Sequence, residues 1–509
     1  LRDGEHVGAD LGEPDLLLRC TEGEYKVYRI LLGIYAKIRS ELLLIDAAEY
    51  AAAKTLLNGG KHYCLNRNNT YWEYSRPFWD YQARCSALMR KGVPVVDICV
   101  YLGQNPPVKL VTYRLPEIPE GYDFDVCTAE ALVGRTMAVD GRLTLPTGIS
   151  YSLLVIQRNN DMPLHVLRHI AGLVKGGVIV CGPRPDGSDS LKDKAESEEY
   201  RALVDELWGE LTTVSQIRKV GKGKIYENIP LSEVLKYENI RPDIAIKSGN
   251  TAKDKVYFVH RRLSDADVYF LNNHSDRAFH DTIRLRTDAR QAEYWDAVTG
   301  QRYMIPVKAS GEKGMLLNLT LAPRESGFIV TSNNQATGLL PRIADVQETI
   351  TPIEGSWNVY FDPRWGGPGK VVFDELIDWT VHADTGIRYY SGTAVYHKEL
   401  NLAMPAQNER LLLRFPRLGS LARVWVNGKE VVTVWCSPWE ADITSYVHEG
   451  KNNLKIEVVN SLMNRMIGDA SLPESERFTY AYPQIATPTD KLVPSGIMEQ
   501  LNLVYRQCQ

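Results

Sequence analysis

At 509 residues the chain is too long for one hydrophobic core, and roughly three or four domains are expected. Hydrophobic content of 44% and charged content of 24% are those of an ordinary globular protein, not of a fibrous or disordered one. A net charge of -4 gives no electrostatic basis for binding nucleic acid or an anionic membrane, and no apolar run approaches the roughly 20 residues of a membrane span.

The opening "LRDGEHVGADLGEP" has neither Met nor a signal peptide and reads as loop cut from within a longer protein. Residues 24–57 have helical periodicity, stopped by Asn58-Gly59-Gly60. Next comes "HYCLNRNNTYWEYSRPFWDYQARC", where amides and a guanidinium crowd beside aromatic rings. Ser75 can cap the following helix, Pro77 suits its first turn, and Phe78, Tyr81, Cys85 and Leu88 recur at helical spacing as core.

"VPVVDICVYLG", "YSLLVI" and "VIVCGP" are predicted strands, with the amphipathic helix "DMPLHVLRHIAGLVKGG" between the last two. This alternation predicts a doubly wound, mostly parallel sheet. The charged run "DGSDSLKDKAESEEY" is a solvated segment leading into another helix. From residue 223 the texture becomes β-rich, with hairpins in "VYFVHRRLSDADVYFLNN" and around Val298-Thr299-Gly300. After a linker near 332–350, short, regularly spaced strands and the Asn427-Gly428 turn predict an all-β sandwich.

Chemistry-bearing residues are few. Eight cysteines lie scattered without a CxxC pair, which excludes the usual zinc spacings and offers no disulfide framework. Cys181 follows a strand, but "IVCGPRPDG" is not a nucleophile turn, so a buried thiol is the competing reading. His260, Arg261, Arg262, Asp265 and Asp267 could line a cleft; a solvated edge or a domain contact is the favoured reading of such a hairpin. Trp425, alternating with Val424 and Val426, could take either face of the sandwich; Trp435 and Trp439 flank "CSP" in a loop that favours exposure, with structural packing the preferred reading of either one.

Taken together, "NRNNTYWEYSRPFWDYQARCSALMRKGVPVVDICVYLG", "YDFDVCTAEALV", "LVKGGVIVCGPRP", "FVHRRLSDADVYFLNN" and "YWDAVTG" resemble glycoside hydrolase family 106, the α-L-rhamnosidases and their relatives. The stretch "WTVHADTGIRYYSGTAVYHKEL", with "VWVNGKEV", "DITSYV" and "GKNNLKIEVVN", resembles the sugar-binding jelly roll of family 2 glycosidases. The resemblance implies a multidomain α/β plus all-β chain. Residues 1–75 would be the end of a catalytic (β/α)8 barrel and 76–222 an amidotransferase-like α/β domain. Residues 223–335 would be a small β domain and 345–509 the jelly roll.

It further implies hydrolysis with inversion by a glutamic acid and a glutamate base, with calcium at the site, on plant or microbial polysaccharide outside the cytoplasm. Asn66, Arg67, Asn68 and Trp72 would border the sugar pocket, the alternative being local capping of the Ser75 helix. Neither catalytic glutamate is matched to a position. Glu5 and Glu49 lie in barrel territory with no family motif around them, and Glu49 falls mid-helix, which suits a surface residue. A closed barrel takes about 250 residues, so the 509-residue chain alone is expected to be catalytically incomplete. A carbohydrate-binding or scaffolding protein without catalysis is the alternative. Oligomeric state, linkage and substrate are not legible.

Overall fold

The computed structural model describes residues 70–507, apart from 104–115, 158–161, 186, 189–196, 211–213, 250–255, 312–313, 335–338, 340–346 and 480–485. The helical pattern at 24–57, the barrel end, Glu5, Glu49, Asn66, Arg67 and Asn68 therefore lie outside the described residues. What is described is multidomain and mostly β, with few helices.

The first sheet runs Phe124–Cys127, Ile98–Tyr101, Leu153–Ile156, Ile179–Cys181 and Gly223–Glu227, all parallel, with Gln216–Val220 antiparallel at the edge. Its inner strands are buried on both faces, which is why they read as continuous apolar runs. Cys99, Tyr101, Leu154 and Val180 pack with the helices Ala129–Arg135, Leu164–Lys175 and Ser197–Leu207. Ile98, Val100, Leu153 and Cys181 point the other way, toward the short Leu231–Tyr237 helix.

Two expected boundaries move. The sheet does not end at 222, because Gly223–Glu227 pairs in parallel with Ile179–Cys181 and the Leu231–Tyr237 helix covers one face of it. Nor does this unit begin at 76. "VPVVDICVYLG" is not one strand but splits at Asp97: Val93–Pro94 pairs with Arg262 and Arg261 of the β unit, and Ile98–Tyr101 enters the parallel sheet.

The β unit is a sandwich. One six-stranded sheet carries the Val256–Arg262 and Ala266–Asn273 hairpin beside Ser326–Ser332, Gln291–Trp295 and Arg302–Ile305. It faces a four-stranded sheet of Ile244–Ile246, Phe279–Leu285, Met315–Leu321 and Val307–Ala309, with Tyr269, Leu271, Ile283, Leu317 and Ile329 between them. The last unit is a second, antiparallel sandwich of six and four strands around Trp357, Phe361, Trp379, Tyr396 and Leu413. Asn427 and Gly428 both take positive φ, 52° and 79°, as a two-residue turn of this hand requires.

The Arg76–Met89 helix joins the two sandwiches. Tyr81, Cys85 and Met89 pack against Val268, Phe270 and Phe328 of one and Leu421, Trp435 and Val459 of the other. The Tyr81 hydroxyl lies 2.6 Å from Ser326 Oγ, and the Trp435 ring meets Phe78 and Tyr81 edge-on at 5.7 Å. Ser75 does not cap this helix as expected; its hydroxyl turns back and donates to the Trp72 carbonyl at 2.7 Å.

Candidate functional site in a charged cleft

A cleft of about 1460 Å³ opens between the parallel-sheet unit and the β sandwich. Gly92 makes it sterically feasible. At φ +63° its backbone crosses the hairpin so closely that a Cβ would lie 2.2 Å from the Arg262 carbonyl oxygen. The chain then pairs with Arg262 and Arg261 and turns into the parallel sheet at Asp97. Arg261 adds a second clasp, donating from Nε and Nη2 to the Lys91 and Gly92 carbonyls at 2.9 and 2.8 Å.

The floor is a continuous ionic chain across the junction. Asp97 is buried and accepts from Arg286 Nη1 and Nη2 at 3.1 and 2.8 Å and from Ser152 Oγ at 3.1 Å. Arg286 Nε reaches Asp243 at 3.3 Å. His260, only 1% exposed, sits between carboxylates, with Nδ1 2.9 Å from Asp243 Oδ2 and Nε2 3.0 Å from Asp267 Oδ1. Its ring stacks on Tyr269 at 3.9 Å. Asp267 also accepts from Arg262 Nε at 3.0 Å and from Thr287 Oγ1 at 2.7 Å.

Burial pulls the His260 imidazole down, but Asp243 and then Asp267 outweigh it, and its pKa stands above the ordinary value. Burial raises Asp267, while the hydrogen bond and charge of His260 bring it down to about 2. Arg286 loses to burial and gains more from Asp243 and Asp97, so it stays above its ordinary value. Arg142, half-buried at the same floor, is lowered by burial first, with Asp97 opposing and Arg286 and Arg262 adding repulsion. Its three nitrogens donate to Ser150 Oγ, Ser152 Oγ and the Ser150 carbonyl at 2.8, 2.9 and 2.9 Å, all uncharged acceptors.

The expected candidates distribute unevenly. Of the hairpin set, His260 is buried in the junction, Arg261 makes the domain contact, and Arg262, Asp265 and Asp267 line the cleft. Of the two favoured readings the domain contact holds and the solvated edge does not, and the hairpin also supplies a cleft wall. Asp97, Arg142, Asp243 and Arg286 were missed. The one available signal was Asp97, a charge inside an otherwise apolar run.

Trp72 is 40% exposed and is absent from the lining of the cleft. Its turn is fastened to the last sandwich, where Arg423 donates to the Glu73 carbonyl at 2.7 Å and covers the Tyr74 ring at 4.2 Å. Cys181 is buried, and burial pushes its thiol up to about 11, which disfavours a nucleophile. Trp435 is buried as expected, and Trp439 packs on the sandwich core.

The described carboxylates do not fit calcium. No group of three or more His, Cys, Asp and Glu among the described residues is placed to hold a metal, and the cleft's Asp97, Asp243 and Asp267 are already taken by Arg and His donors.

Comparison with known proteins agrees with this architecture. The α-L-rhamnosidase family 106 model matches residues 52–308, half of the chain, and the family 2 glycosyl hydrolase sugar-binding domain matches 344–505. A rhamnosidase from Novosphingobium sp. PP1Y superposes with a TM-score of 0.77 at 29% identity, covering 88% of this chain and 42% of its own. A putative β-glucuronidase of Formosa agariphila is 22% identical, over 80% of this chain and 53% of its own. The chain thus spans about half the length of the relatives it matches. By the match of the family model to half its length, the chain belongs to glycoside hydrolase family 106, the α-L-rhamnosidases.

Proposed function

We propose that the chain is the C-terminal part of an inverting α-L-rhamnosidase that acts on plant or microbial polysaccharide outside the cytoplasm. The observation that carries this reading is the family 106 match running from residue 52 through the parallel sheet into the β sandwich. Inversion needs two carboxyl groups about 6.5–9.5 Å apart with a water between. Buried Asp97 and Asp243 and partly buried Asp267 are engaged by cationic donors, so they suit positioning better than proton transfer. The acid and base accordingly belong to the barrel, with Trp72, Asn66, Arg67 and Asn68 at its border with the next unit. The described units then serve to hold that border and to contact glycan.

The same engagement of carboxylates favours a second reading, a carbohydrate-binding protein without catalysis. An assay of the intact enzyme, its catalytic barrel included, with an aryl α-L-rhamnoside beside an aryl β-D-glucuronide separates the readings. Turnover of the rhamnoside alone supports the proposal. Turnover of the glucuronide alone would replace the substrate, and turnover of neither with retained glycan binding would favour the second reading.

A further inference from the structure

The floor of the cleft carries an unmatched positive charge. Both ring nitrogens of His260 lie against carboxylate oxygens, at 2.9 and 3.0 Å. A neutral imidazole donates from only one nitrogen and would set the lone pair of the other against an anion, so this geometry calls for imidazolium. Arg142, Arg262, Arg286 and His260 then meet Asp97, Asp243 and Asp267, which leaves one cation over. Among the described residues the rim does not supply the missing anion. Exposed Asp265 and Asp288 are offset by exposed Arg241 and Arg284, and Glu238 is held by Lys224 and Tyr226.

The excess falls on two side chains. Arg286 spends its nitrogens on Asp97, Asp243 and the Arg241 carbonyl. Arg142 hydrogen-bonds only neutral oxygens and feels Asp97 through charge alone, which leaves a half-buried guanidinium without a carboxylate in contact. Arg262 uses Nε alone on Asp267, and its side chain is 55% exposed, which leaves its terminal amino groups for the cleft it lines.

We propose that this cleft is a second carbohydrate site, which takes a carboxylate-bearing sugar, a hexuronate within a glycan, with the carboxylate held between Arg142 and Arg262. A planar monoanion matches both the single unmatched charge and the forked geometry of a guanidinium. Ser264, Ser332 and Asn333 in the lining offer donors and acceptors for the sugar hydroxyls. No described lining residue is aromatic, so recognition here is by charge and hydrogen bonds rather than by stacking on the ring. The proposal rests on the reading of the chain as part of a glycan-acting protein.

The test is calorimetric titration of the full chain with linear trigalacturonate, maltotriose and acetate, for the wild type and for Arg142→Gln and Arg262→Gln. Trigalacturonate should bind, weaken at least tenfold in each variant, and weaken further with salt, while maltotriose and acetate bind far less. Arg262→Gln removes an exposed side chain and should stay folded even if Arg142→Gln does not. The titration needs no turnover, so a failure of rhamnoside hydrolysis counts against the proposed activity and not against this site. Absent trigalacturonate binding, equal binding of maltotriose, or unchanged affinity in Arg262→Gln would overturn the proposal. Acetate binding as tightly as the trimer would overturn its assignment to a glycan.

Discussion

Two junctions hold the described units together, and they are built from opposite chemistry. Between the sandwiches the Arg76–Met89 helix inserts Tyr81, Cys85 and Met89 into an apolar seam closed by Phe270, Phe328 and Trp435. Between the parallel sheet and the first sandwich, the contact is the chain Asp97–Arg286–Asp243–His260–Asp267, open to a cleft on one side. An apolar seam gains from any close packing and tolerates volume-conserving change. An ionic chain is worth little unless every member is present, because removing one leaves a buried charge unpaired. The first junction is suited to permanent fastening. The second fixes an orientation and keeps polar groups at hand for a ligand.

The sharpest way to break this contrast is Arg286→Met. It strands Asp97 and leaves Asp243 to His260 alone, their side chains being 4% and 1% exposed, and should cost about 4 kcal/mol in chemical unfolding. Trp435→Ala, on the apolar side, should cost about 3 kcal/mol through lost burial and a cavity. The double variant should be additive to within about 0.5 kcal/mol, because the two sites share no partner. A large coupling term would mean that the junctions act as one.

The pH response should divide them too. The folded pKa of His260 is raised, so its contribution is fully present below the ordinary histidine value and fades as pH rises through the folded one. Asp267 is depressed from 3.8 to about 2, so its contribution is present above 3.8 and is lost as pH falls toward 2. Thermal melting of the wild type should therefore fall on both sides of a plateau. In His260→Gln the alkaline fall should flatten, with the acid limb shifted because Asp267 has lost its partner. Trp435→Ala should lower the whole curve without changing its shape.

Smaller effects sharpen the picture. Tyr81→Phe keeps the ring in the seam and loses the hydroxyl with its contact to Ser326 Oγ, so about 1 kcal/mol is expected. Cys181→Ala should leave rhamnoside hydrolysis by the intact enzyme within about twofold, since the buried thiol packs and reaches only the Ile229 carbonyl, at 4.0 Å.

What the sequence made legible follows from the range of the forces involved. The Asn427-Gly428 hairpin and the helix face of Tyr81 and Cys85 are set by local backbone chemistry and periodicity and are found where they were expected, while of the strand expected at "YSLLVI" only Leu153–Ile156 enters the parallel sheet. The ionic junction joins residues far apart, with Asp97 and Arg286 separated by 189 positions, and no local pattern encodes such a partner. The boundary at 222 failed for the same reason. A strand after a turn reads alike whether it starts a new unit or, as Gly223–Glu227 does, returns to pair with Ile179–Cys181. Of the sugar-pocket residues expected near the barrel, only Trp72 is described, exposed beside its two buried tyrosine neighbours, Tyr71 and Tyr74.

The charge of His260 underlies the ionic junction, the alkaline limb of the stability curve and the positive floor of the cleft. Nitrogen NMR of histidine-labelled protein, titrated from pH 6 to pH 9 (about the range over which free imidazole has lost its proton), reads it directly. The account predicts that both His260 ring nitrogens stay protonated at pH 7 and above, well after exposed histidines have titrated. A neutral single tautomer at pH 7 would contradict it, and would remove the excess charge on which the cleft's carboxylate site depends.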